Sequence, residues 1–110
     1  MNKHYSQMTE EELHDEILML AQHIRVAKEA NNEFELPILE QKMLLVKSHL
    51  VDQSMIHPGD LYAIDEEPGS TFRIHHLKGV FAWGNRNEES EMIGLILAKL
   101  GQKLESAPQE

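Results

Sequence analysis

The sequence predicts an α+β protein, a helical hairpin followed by a small, strongly bent β-barrel. Three observations carry this. A capped stretch with apolar residues at helical spacing occupies the N-terminal third. A second such stretch follows after a short polar turn. Beyond His57-Pro58-Gly59-Asp60 the apolar period changes from helical to alternating, and short runs are punctuated by Gly and Pro. The expected division is residues 1–56 for the hairpin, 57–100 for the barrel and 101–110 for a polar, flexible tail.

Thr9 is a good N-cap, and Glu12 three residues on completes a capping box. Met8 and Leu13 occupy the two positions of a hydrophobic staple, and Glu10, Glu11 and Glu12 favour the positive end of the helix dipole. Leu13, Ile17, Leu20, Ile24 and Ala27 form one narrow stripe. Asn31-Asn32 is the expected stop, because Asn tolerates the left-handed C-terminal position. Pro37 is tolerated only in a first turn, so the second helix begins between Glu33 and Leu36. Its main stripe is Leu39, Met43, Val46 and Leu50, with further apolar pairs Ile38/Leu45 and Leu44/Val51 on other faces. Those extra faces call for cover, either from the rest of the chain or from a second copy, so a homodimer through the helices is expected.

Leu61–Ile64 reads as a strand, and Glu67-Pro68-Gly69-Ser70 as a turn. Thr71–Leu77 is a strand placing Phe72, Ile74 and His76 on one face, Arg73 and His75 on the other. Lys78-Gly79 closes a hairpin into a strand over Val80–Arg86, which places Val80, Ala82 and Gly84 opposite to Phe81 and Trp83. Met92–Leu100 fits either a last strand ending in a helical turn or a short helix.

The chain carries a formal charge of −9 and no Cys, which rules out disulfides and thiolate chemistry. It has no apolar run long enough to span a membrane and no signal-peptide core, so a cytoplasmic protein is expected. Overall acidity opposes binding to nucleic acid or to anionic membranes. Residues 71–86 are the exception: they hold Arg73, Lys78 and Arg86 with no acid, together with Phe72, Phe81 and Trp83.

Several segments resemble the YfhH-like family, small uncharacterised proteins of Bacillus-type bacteria. They are Tyr5-Ser6-Gln7-Met8-Thr9 with Glu12-Leu13, Leu39-Glu40 with Lys42, Pro58-Gly59 with Tyr62, and Leu77 followed by Gly79-Val80-Phe81-Ala82-Trp83-Gly84 and Arg86. The matches keep their order up to about residue 90. The resemblance implies a helical hairpin packed on an SH3-like barrel and no established activity. A role in transcription regulation attaches to such proteins as a suggestion. The family pattern has a proline in the last strand, where Met92-Ile93-Gly94-Leu95 stands in this chain.

No catalytic or metal-binding pattern emerges. His14 and His23 are nine apart and so lie on opposite sides of a helix; His75 and His76 are adjacent in a strand and so point to opposite faces. There is no nucleophile elbow, and Gly79 and Gly84 bracket a strand, unlike a phosphate loop. The expectation is therefore no enzyme, no metal and no cofactor. The leading function is a non-catalytic interaction module, binding another protein in a regulatory assembly. The alternative is a nucleic-acid-associated regulator. The candidate binding residues for either are Arg73, His75, Lys78, Trp83 and Arg86, the basic members forming one patch on the barrel. Trp83 has two readings: a residue docked between barrel and hairpin, or an exposed aromatic in a ligand groove.

Overall fold

The computed structural model describes residues 4–108. Two compact units divide the chain between Leu50 and Val51. The first holds two helices, α1 (Glu10–Glu29) and α2 (Glu35–His49). The second holds five strands: β1 (Leu61–Ile64), β2 (Thr71–Lys78), β3 (Phe81–Arg86), β4 (Met92–Ile96) and β5 (Leu100–Glu105).

In the helical unit the capping box forms as the sequence dictates. The Glu12 N–H donates to Thr9 Oγ1 at 3.1 Å, and the Thr9 N–H donates to Glu12 Oε1 at 3.1 Å. α1 ends in a Schellman motif: Asn31 adopts φ +53°, its N–H reaches Lys28 O at 3.1 Å, and the Asn32 N–H reaches Ala27 O at 2.9 Å. Asn32 then starts the next helix, since its Oδ1 accepts from the Glu35 N–H and its Nδ2 donates to Glu35 Oε2. One side chain thus links the end of α1 to the first turn of α2, which makes the connection tight. Leu13, Leu20 and Ala27 of α1 pack with Leu39 and Val46 of α2, flanked by Ile17, Ile24, Met43 and Leu50. These are the two predicted stripes. Ile38, on another face of α2, stays 58% exposed.

The second unit is one antiparallel sheet of order β4-β3-β2-β1-β5. Its edges, β4 and β5, are not paired with each other, so the sheet is open and the expected closed barrel is not what forms. The alternative left for Met92–Leu100 resolves to strand: β4, a 3-10 turn at Leu97–Lys99, then the start of β5. Residues 100–105, most of them assigned from sequence to a flexible tail, pair with β1, while residues 109–110 of that tail lie outside the described residues. β5 is not marked in the sequence because its two leucines, Leu100 and Leu104, are four apart with Gly101, Gln102 and Lys103 between them, so neither an apolar run nor a period of two appears. The hairpin/barrel boundary expected at 56/57 falls instead at 50/51, since Val51 and Ile56 belong to the sheet core.

That core is Ile56, Tyr62, Ile64, Phe72, Ile74, Ala82 and Leu97, with Leu77, Val80, Ile93, Leu95 and Leu100 around it. Gly84 sits where β3 crosses closest to β2: a Cβ there would lie 1.9 Å from Arg73 O, so no other residue fits without moving backbone. β2 does not keep a single alternation. Ile74 pairs with Gly84 but His76 pairs with Trp83, so one residue, His75, is extra. This β-bulge reverses the phase of the strand. Leu77, not His76, follows Phe72 and Ile74 into the core, correcting the face assigned to His76.

Asp60 ties the ends of the unit together. Its carboxylate, 1% exposed, accepts from the His57 N–H at 2.9 Å and the Ala107 N–H at 2.6 Å, and Lys103 Nζ lies 3.0 Å away. Lys103 also donates to Met55 O at 2.7 Å. Burial pushes the Asp60 carboxyl upward, but the two backbone donors and the Lys103 ammonium outweigh it and hold the pKa below the ordinary value. The same hydrogen bond to Asp60 raises the Lys103 ammonium.

Two outcomes are expected. Thr9→Ala removes half of the capping box and lowers unfolding free energy by about 1 kcal/mol, read as a fall in denaturant midpoint. Asp60 has a folded pKa below its unfolded 3.8, so its contribution is complete above that value and disappears as pH falls through the folded one. Asp60→Asn therefore destabilises the sheet at neutral pH, and the gap between variant and native midpoints closes as pH drops below the ordinary carboxylate range. A gap that stays constant across that range would separate stability from this carboxylate.

Candidate functional site

The bulge at His75 builds the site. Because β2 changes phase there, the outward row of the sheet reads His76, Trp83, Gly94 across β2, β3 and β4, and the next row reads Lys78, Phe81, Ile96, of which Ile96 is buried. The His76 imidazole stacks on the Trp83 indole, centroids 6.4 Å apart and planes within 9°. On its other side the indole lies over Gly94, whose bare Cα leaves the room: an added Cβ would meet the ring at 3.1–3.3 Å. His75 turns towards His76 so that the two Nδ1 atoms stand 2.9 Å apart with ring centroids 5.1 Å apart. The centroid separation is close to the N···N distance plus the two ring radii, so the nitrogens face each other nearly in line, as in a single N–H···N hydrogen bond with one ring donating. Adjacent strand residues would normally diverge, and only the bulge brings these two rings together. Phe81 and Met92 on the same face are 39% and 42% exposed.

Of the five sequence-predicted binding residues, four share this face: Arg73, His75, Lys78 and Trp83. Arg86 does not join them. Arg73 pairs with Asn85, whereas Arg86 pairs with Phe72, so the arginines leave opposite faces of the sheet. Each also has carboxylates beside it. Arg73 Nη1 donates to Gly59 O at 2.9 Å, and its Nη2 lies 3.7 Å from Glu88 and 3.9 Å from Glu105. Arg86 forms an ion pair with Glu67. The single basic patch expected from charge alone is therefore broken up by neighbours distant in sequence. Sequence reasoning placed Phe81 beside Trp83 but missed His76, Met92 and Gly94 as members of the face. A signal for His76 existed: Phe72, Ile74 and Leu77 cannot all face inward in an unbroken period of two, so an apolar spacing of two then three marks a bulge.

Elsewhere the chemistry is sparse. An open groove of about 590 Å³ in the helical unit is lined by Tyr5, Met8, Glu12, Glu16, His23 and Lys42, among others, charges of both signs side by side. Burial and the Glu16 carboxylate raise the Tyr5 phenol there. Among the described residues no three His, Asp or Glu side chains converge as metal ligands. No helix among them is long and apolar enough to cross a membrane.

The combination of a capped helical hairpin with an open antiparallel sheet carrying an aromatic–imidazole face defines a small α+β protein. Residues 3–101 match the family model "Protein of unknown function (DUF1811)". The chain is 38% identical over 91 residues to "Uncharacterized protein YfhH" of Bacillus subtilis (strain 168), an alignment covering 83% of this chain and 86% of that protein. The chain belongs to this YfhH-like family.

Leu77→Ala should cost about 2 kcal/mol as a large-to-small change against the core, while His76→Ala should leave the denaturant midpoint almost unchanged. His76→Ala should instead alter the emission of Trp83, the chain's single tryptophan. The reverse pattern would mean that the strand keeps one phase through His75.

Proposed function

We propose that this chain is a non-catalytic interaction module of the cytoplasm that holds an acidic segment of a partner protein in a regulatory assembly. The observation that carries the reading is the outward face of β2–β4, where Trp83 is sandwiched between His76 and Gly94 with Phe81, Lys78 and His75 beside it. A rigid, half-exposed indole flanked by groups that donate hydrogen bonds or carry positive charge suits a segment that alternates apolar and acidic side chains. The surrounding chain, at −9, selects against other acidic surfaces except where this face is presented. The chain order also supports an SH3-like reading of the sheet: a four-strand meander, a 3-10 turn, and a fifth strand returning to the first. Surfaces of that kind bind extended peptides on aromatic residues.

A second reading, a nucleic-acid-associated regulator, draws on the same aromatic platform, since bases stack on Trp, Phe and His. Engagement of Arg73 and Arg86 by carboxylates weighs against it, because phosphate binding needs free cations.

The test is capture of partners from native lysate with and without nuclease, with Trp83→Ala and Lys78→Glu as probes. Protein partners that survive nuclease and are lost in both variants are expected. Capture that vanishes with nuclease, together with salt-sensitive binding of labelled DNA or RNA, would replace this reading with the second. Capture that both variants retain would show that another face binds.

A further inference from the structure

The two edges of the sheet differ in a way that the partner-binding face does not use. β5 carries Gln102, Lys103 and Glu105, the charged and polar residues with which natural edges discourage pairing. β4 is Met92-Ile93-Gly94-Leu95-Ile96, with no charge and no proline. Its backbone is also half unused. The Leu97 N–H donates to Val80 O at 2.9 Å, which fixes the parity of the β3–β4 ladder. With the observed register, Ile93 and Leu95 turn their main-chain groups to Gly84 and Ala82 of β3, while Met92, Gly94 and Ile96 turn theirs to the open side. Among the described residues no backbone hydrogen bond from another element reaches those three.

We propose that this edge is occupied by β4 of a second copy, running antiparallel about a two-fold axis through Gly94. The strand reads nearly the same in both directions around that glycine, two apolar residues on either side. Pairing with itself sets Met92 opposite Ile96 of the second copy, Ile93 opposite Leu95, and Gly94 opposite Gly94. Such a contact is isologous and closes at two subunits. No like charges meet across it, although each chain carries −9. The axis also falls where the outward face has no side chains. Each Trp83 indole already lies across its own Gly94, and two bare glycines side by side give both indoles a common floor. A foreign strand bearing a side chain opposite Gly94 would compete with the indole for that space, which favours a second copy as the occupant.

Sedimentation of the full chain from micromolar to millimolar concentration should reveal a species of twice 12.7 kDa, and Trp83 emission should change along the same isotherm. Met92→Pro removes an N–H that points away from β3, so the fold should persist by circular dichroism while the dimer dissociation constant rises at least about tenfold. Met92→Lys, which leaves the backbone intact, should weaken the dimer similarly and decides the matter if the proline variant does not fold. A native chain that stays at 12.7 kDa at millimolar concentration overturns the proposal. A dimer that persists in the folded variants overturns it as well, and would move the contact to the helical unit, where Leu18 and Ile38 are exposed.

Discussion

One extra residue in β2 governs the sheet unit. A strand has period two, so the inserted His75 sends every later side chain to the opposite face. Without it, Leu77 would stand in water and His76 would enter a core that offers an imidazole no partner. With it, Leu77 joins Phe72 and Ile74, and His76 is free to stack on Trp83. Core and candidate site are therefore two consequences of the same irregularity. Bulges also increase twist, and the two register shifts between β1 and β5 add to that at the other end of the sheet.

Close approaches filled by glycine hold the bent sheet together. Gly84 lets β3 lie against the Arg73 carbonyl, and Gly94 gives the Trp83 indole a place to lie flat. The Asp60 carboxylate works on a longer scale. It collects donors from His57, Lys103 and Ala107, segments far apart in the chain, and so ties the entry of β1 to β5 and to the residues after it. A buried carboxylate is costly unless fully paired, and here the pairing is what specifies where β5 lies.

The charge pattern shows how composition can mislead about binding. Read linearly, residues 71–86 are a basic island in an acidic chain. In the folded sheet, Glu67, Glu88 and Glu105 come to the arginines from three other segments. What remains presented is aromatic and imidazole-rich, with Lys78 beside it.

Local chemistry determined the helical unit almost completely. The Thr9/Glu12 box, the Asn31-Asn32 stop, the position of Pro37 and the two apolar stripes all depend on residues within one or two turns of each other, and each formed where the sequence put it. The strands from Leu61 to Arg86 were likewise legible from alternation and turn residues. Three features were settled only in three dimensions. The His75 bulge arises because Phe72, Ile74 and Leu77 must share one core. β5 forms because β1 offers an edge and Asp60 fixes Lys103. The openness of the sheet follows from β4 and β5 remaining unpaired with each other. Each depends on contacts between residues far apart in the chain, and neither periodicity nor propensity records those.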